Sequence, residues 1–145
     1  MLKRSFIFTV ILMCFINFLK AQSTTDEIVS KFFNIYKSQS SGAAVDYLFS
    51  TNASSKDSRP AIDTLKMKLN ATEQLVGKLV SYELITSKAA GKSVLLLTFI
   101  VNFQHDPLTF RFSLYKPANA WQIQDFQFNN SIYDELDESS KAHGN

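Results

Sequence analysis

The chain has few of the residues that mark common catalytic and metal sites. Its 145 residues include one cysteine, two histidines, four glycines, three prolines and one tryptophan. The glycines are isolated from one another, which excludes a glycine-rich phosphate loop, and no Gly-x-Ser-x-Gly motif points to a hydrolase. Neither the histidines nor the cysteine have the spacing of metal ligands. We therefore predict no metal and no cofactor.

Long apolar runs are also scarce, and the clearest one lies at the N-terminus. A short basic stretch, residues 1–4, precedes the apolar residues 5–19, and Ala21 offers a small residue for cleavage. This order is typical of a secretory signal peptide over residues 1–21. An uncleaved membrane anchor is the alternative, although the run is short for one. A lipidated Cys14 is disfavoured because apolar residues continue after it. We expect an exported protein, periplasmic or secreted, without a stable membrane anchor.

Cleavage at Ala21 changes the composition of what remains. Lys3, Arg4 and Lys20 leave with the segment, so 12 basic residues remain against 13 acidic ones, and the formal net charge falls from +2 to −1. No basic surface is then predicted, which argues against a nucleic-acid partner. The only cysteine, Cys14, is lost as well, which excludes a disulfide and a thiol nucleophile in the mature chain.

The remaining length suits one domain. Residues 22–130 contain no linker-like stretch and no internal repeat, and a chain of this size can bury a sufficient apolar core. Residues 131–145 are polar and acidic. We interpret them as a flexible polar tail.

Helical patterns fill the first half of this domain. Thr24 and Glu27 form a capping box, and apolar residues then recur at helical spacing to Tyr36. A shorter helix is predicted over residues 43–49. A third begins near Pro60, with Ser58 as its cap, and ends at Gly77 as a left-handed residue.

Strand patterns follow Gly77. Strands are predicted over residues 79–86, 93–103, 108–115 and 121–128, with turns between them. In the last strand the apolar phase changes near Gln124 and Asp125, which indicates a β-bulge. The fold class is therefore α+β, with three N-terminal helices packed on a curved antiparallel four-stranded meander.

This order of elements, with Gly77 before the first strand and the pattern Trp-x-Ile-x-x-Phe at residues 121–126, resembles the nuclear-transport-factor-2-like superfamily. The chain is also similar to small exported proteins of Bacteroidota-type bacteria, whose signal peptides often end in Ala-Gln. The resemblance implies a cone of helices and curved sheet around a pocket, and dimerisation through the sheet. Enzymes of the superfamily place Asp, His or Tyr inside the cone; here His105 and His143 fall in a predicted turn and in the tail.

Two sets of residues are candidates for a binding site. Aromatic residues at core spacing line a pocket if the cone contains one: Tyr36, Tyr47, Phe110, Phe112 and Trp121. Residues 94–101 are apolar on both faces except at Thr98, so one apolar stripe faces away from the helices and needs a cover: Val94, Leu96 and Ile100. A homodimer packed through the sheet is the natural cover.

The absence of a catalytic set favours a non-enzymatic exported domain that binds a small apolar ligand or a protein partner. One alternative is an isomerase or dehydratase that uses Glu83 or Asp125 as the base and Tyr82 or Tyr115 as the donor. Another is a structural homodimer within an envelope assembly.

Overall fold

The computed structural model describes residues 24–132, and both the predicted signal peptide and residues 133–145 of the predicted tail lie outside this range. Three α-helices come first, with a 3₁₀ segment between the second and the third: α1 Thr25–Ser38, α2 Ser41–Ser50, the 3₁₀ segment Ala53–Ser58, and α3 Arg59–Val76. Four strands follow: β1 Leu79–Ala90, β2 Val94–Phe103, β3 Pro107–Tyr115 and β4 Gln122–Asn129.

The fold is α+β, as predicted, and the strands form one open antiparallel sheet in the order β1-β2-β3-β4. The expectation that all helices are N-terminal was wrong. Helical backbone begins again at Ile132, after β4 and at the limit of the described residues.

Helix ends follow the expected chemistry at α1 and differ at α3. The Thr24 hydroxyl accepts a hydrogen bond from Glu27 N–H at 3.2 Å, while Thr24 N–H donates to the Glu27 carboxylate at 2.8 Å. This confirms the capping box. Ser58 precedes α3 as predicted, but its side chain makes no capping hydrogen bond. The 3₁₀ segment runs directly into α3 there, which leaves Ser58 without the extended backbone that a capping side chain needs.

Gly77 ends α3 at the point where the chain turns into the sheet. Its φ of 84° is positive, as predicted, but its ψ of −163° is extended rather than left-handed helical. His105 N–H donates to the Val76 carbonyl at 2.9 Å, and Gln104 N–H donates to the Lys78 carbonyl at 3.1 Å. The β2–β3 turn is thereby joined to the end of α3.

Two details of the sheet depart from regular pairing. A register shift lies in β4 between Ile123 and Asp125, so the bulge predicted near Gln124 is confirmed. In β1, residues 87–90 were predicted to be a turn, yet they pair with β2, and the turn is confined to residues 91–93. Pairing with the apolar β2 strand outweighs the low strand preference of this segment.

One apolar core joins the helices to the inner face of the sheet. Phe32 of α1 lies at its centre, with its ring 5.2 Å from the ring of Phe112 and 5.3 Å from that of Phe126. Phe33, also on α1, stacks on Tyr82 of β1 at 3.7 Å. Apolar residues of α2 and α3 complete the same core: Ala44, Val45, Leu48, Ile62, Leu69 and Val76.

Candidate functional site

The five aromatic residues predicted to line a pocket do not lie together. Tyr36, Phe110 and Phe112 are buried in the core, where their rings contact those of Phe32 and Phe33. Tyr47 and Trp121 are only partly buried, and each carries a lysine ammonium over its ring: Lys31 at 4.8 Å and Lys116 at 5.1 Å. Three of the five residues therefore pack against other aromatic rings, and Tyr36 also lines a groove between the end of α1, α3 and the start of β1.

Tyr36 is the one buried member of this set with a polar group, and its hydroxyl lies at the rim of the core. Its hydroxyl donates to the Glu73 carboxylate at 3.4 Å, joining α1 to α3. Burial is the main cause that raises the pKa of Tyr36, and the nearby negative charge of Glu73 adds to it. The phenol stays protonated at neutral pH, and its hydrogen bond to α3 is a structural tie.

The stripe predicted for a dimer interface lies where the alternation placed it. Leu97, Phe99 and Val101 of β2 are buried in the core, so the alternate residues of the strand point to the outer face of the sheet. Val94 is 41% exposed, and Leu96 and Ile100 are partly exposed. This apolar stripe, which we call the β2 stripe (Val94, Leu96, Ile100), runs along an inner strand of the sheet.

Two threonines at the centre of the outer face are buried, although they are polar. Thr98, between Leu96 and Ile100, is 2% exposed, and Thr109, paired with Ile100 on β3, is fully buried. Within the described part of the chain the Thr109 hydroxyl has no hydrogen-bond partner. Thr109 lies between Leu108 and Phe110, which face the core, so alternation along β3 gives no sign of its burial.

Charged residues of both signs share this outer face. Glu83 pairs with Ile100 and Lys88 with Leu96 on the β1 side; Arg111 pairs with Thr98 on the β3 side. On β4, Asp125 pairs with Ser113, and its carboxylate accepts a hydrogen bond from the Gln127 amide at 2.6 Å. The face therefore has an apolar centre with two acidic and two basic residues around it.

The residues named for an enzyme are divided between the two faces of the sheet. Glu83, Asp125 and Tyr115, which pairs with Val94, lie on the outer face, whereas Tyr82 packs on Phe33 on the inner face. His105 lies in the β2–β3 turn, as predicted, and His143 lies outside the described residues. No acid, base and donor from this set meet in one enclosed space among residues 24–132.

A groove that the sequence analysis did not identify lies at the end of α3. It has a volume of about 830 Å³, and its walls come from α3, the β2–β3 turn and the end of β4: Thr72, Leu75, Val76, Asp106, Pro107, Leu108, Phe128, Asn129, Asn130 and Ile132. We call it the α3 groove. These residues are far apart in the sequence, so no local sequence pattern predicts the groove.

Within residues 24–132, no group of three or more His, Cys, Asp or Glu side chains is placed to hold a metal ion. No helix in this range is both long and apolar enough to cross a membrane. Comparison with protein-family models, with curated proteins and with solved structures found no match to this chain.

Proposed function

We propose that this chain is a non-enzymatic exported domain that binds a protein partner through the outer face of its sheet, and that the partner is a second copy of the chain. The proposal rests chiefly on the β2 stripe. Three apolar side chains occupy the centre of a face that the described helices leave uncovered. A soluble domain seldom leaves such a stripe on an inner strand without a use for it.

The arrangement of charges supports a second copy as the partner. Two acids and two bases surround the apolar centre, so the face is not strongly charged with either sign. In a two-fold interface the same surface meets itself, which requires a face that is complementary to its own copy. A face with both signs around an apolar centre meets that requirement, whereas one with a single sign repels its copy.

The packing of the core supports binding at the surface over binding inside the domain. Phe110 and Phe112 are fully buried, and their rings contact the ring of Phe32 on α1. The side chains that would form the wall of a cone-like pocket therefore pack against each other. The cone and the relationship to the nuclear-transport-factor-2-like superfamily remain part of this proposal. The order of helices and strands agrees with that relationship.

The enzyme alternative has less support from the geometry. A carboxylate base needs an apolar enclosure that raises its pKa, and a donor for the developing charge. Glu83 is exposed on the outer face, and Asp125 is half-buried there, with its carboxylate hydrogen-bonded to the Gln127 amide.

A charge introduced into the β2 stripe tests this proposal. Leu96→Glu places a carboxylate at the centre of the interface, and we expect it to weaken self-association by a factor of ~10 or more, measured by light scattering during gel filtration. Val80→Glu is the matched control, because Val80 is 58% exposed and lies outside the stripe. Equal self-association of the two variants, both folded by circular dichroism, would contradict the proposal.

A further inference from the structure

We propose that the groove beside Tyr36 binds a small zwitterion, a molecule with one ammonium and one carboxylate group, such as a free amino acid or a dipeptide. The groove has a volume of about 470 Å³ and lies between the end of α1, the start of α2, α3 and the start of β1. We call it the Tyr36 groove. Its volume suits a small molecule. The proposal uses no residue of the β2 stripe and is independent of the proposed dimer.

The lining of the Tyr36 groove is mostly polar. Three amide side chains contribute to it, those of Gln39, Asn70 and Gln74, and its only aliphatic residues are Leu79 and Val80. Such a lining offers many hydrogen bonds and little apolar contact. The groove therefore favours a polar solute over a lipid or another apolar ligand.

The charged groups of the groove do not neutralise one another by direct contact. Glu73, Lys37 and Lys78 all line it, yet among the described side chains no ion pair joins Glu73 to either lysine. Glu73 is half-buried, and its carboxylate accepts the hydrogen bond of the Tyr36 hydroxyl at 3.4 Å, which is long for such a bond. One acid and two bases thus share a small space in which their charges stay apart.

Two of these charged groups are held in place by the fold. The ammonium of Lys37 donates to the Val80 carbonyl at 3.1 Å and lies 5.5 Å from the centre of the Tyr82 ring. The Glu73 carboxylate is tied to Tyr36, which is itself only 4% exposed. Groups that are already positioned lose less conformational freedom when a ligand binds.

The start of α2 adds a further polar feature to the groove. Ser41, the first residue of α2, lines the groove and is only 3% exposed. The neighbouring Ser40 hydroxyl accepts the Ala43 N–H, and no acidic side chain lies in the first turn of α2. The partial positive charge of this helix end is therefore not offset locally, and it attracts a carboxylate.

A zwitterion satisfies both signs of charge in the groove at once. Its ammonium pairs with the Glu73 carboxylate, and its carboxylate pairs with a lysine ammonium beside the start of α2. A simple anion leaves Glu73 without a partner, and a simple cation leaves the lysines without one. The groove should therefore bind a molecule with both groups more tightly than one in which either group is blocked.

Equilibrium dialysis of the purified protein tests the class of ligand. The probes are the common amino acids and the dipeptide of two alanines, each at ~1 mM, with retained compounds identified by mass spectrometry. We expect at least one zwitterion to be retained, and its N-acetyl and carboxamide derivatives to bind more weakly by a factor of ~10 or more. Which probes are retained distinguishes free amino acids from peptides. Retention of no probe, or equal binding of the blocked derivatives, overturns the proposal.

A pair of variants locates the bound zwitterion. Glu73→Gln keeps the size of the side chain and removes its charge, so we expect it to weaken binding of the retained zwitterion by a factor of ~10 or more and to leave binding of the N-acetyl derivative unchanged. Glu83→Gln is the matched control, because it makes the same change on the outer face of the sheet, and it should alter neither. Equal affinity of the two variants, both folded by circular dichroism, overturns the proposal.

Discussion

A Cβ atom built on Gly77 lies 2.8 Å from the Cβ atom of Gln104, closer than two such atoms approach in folded proteins. The contact lies where the end of α3, the start of β1 and the β2–β3 turn meet. Lys78 N–H also donates to the Gln104 side-chain carbonyl at 3.0 Å, so the turn cannot move away without losing that bond. The end of α3, and with it one wall of the α3 groove, is fixed by this junction.

Gly77→Ala is therefore expected to destabilise the domain strongly. The backbone of Gly77 is one that only glycine adopts readily, which costs about 1–3 kcal/mol for alanine, and the clash with Gln104 adds to this. Gly91→Ala is the matched control: its φ is also positive, at 64°, but no atom lies within 4 Å of the new Cβ. We expect a loss of about 1 kcal/mol there. Urea unfolding measures both, and equal losses would show that the junction is not close-packed.

The two serines that precede helices should respond differently to alanine. The Ser40 hydroxyl accepts a hydrogen bond from Ala43 N–H at 3.1 Å at the start of α2, whereas Ser58 makes no such bond before α3. Ser40→Ala is expected to reduce the free energy of unfolding by about 1 kcal/mol, and Ser58→Ala by less than about 0.5 kcal/mol. Thermal or urea unfolding distinguishes the two. A larger loss for Ser58→Ala contradicts the geometry of these caps.

The buried hydroxyl of Tyr36 predicts a pH dependence above pH 10. Burial, and then the charge of Glu73, raise the pKa of Tyr36 in the folded protein above its ordinary value of 10.0. The unfolded chain releases this proton above pH 10, whereas the folded chain retains it. The contribution of the Tyr36 hydroxyl to the free energy of unfolding is therefore complete below pH 10 and is lost as the pH rises further. The loss approaches about 1.4 kcal/mol per pH unit.

Tyr36→Phe isolates this effect from the titration of other groups. The difference in the free energy of unfolding between the unaltered protein and the variant should fall by about 1.4 kcal/mol between pH 8 and pH 11. Urea unfolding at several pH values measures it. Parallel curves for the two proteins would mean that the hydroxyl is not withheld from solvent.

Local patterns predicted much of the fold correctly. The capping box at Thr24, the positive φ at Gly77 and the bulge near Gln124 each depend on residues adjacent in the sequence. The end of β1 was missed because residues 87–90 have little strand preference and are held by pairing with β2. That pairing depends on the assembled sheet, which no local pattern encodes.

The candidate sites were predictable to different degrees. Alternation along β2 predicted that Leu96 and Ile100 face away from the core, and the register agrees. Thr109 is fully buried although its register places it on the outer face, and the α3 groove is lined by residues from separate elements of the fold. Neither is visible in a single stretch of sequence.

The assignment of the sheet face as a self-association surface is tested most directly by the mass of the purified protein in solution. Sedimentation velocity at ~50 µM and physiological salt should give a mass of two chains, with dissociation on dilution. A single species with the mass of one chain at that concentration would contradict the account.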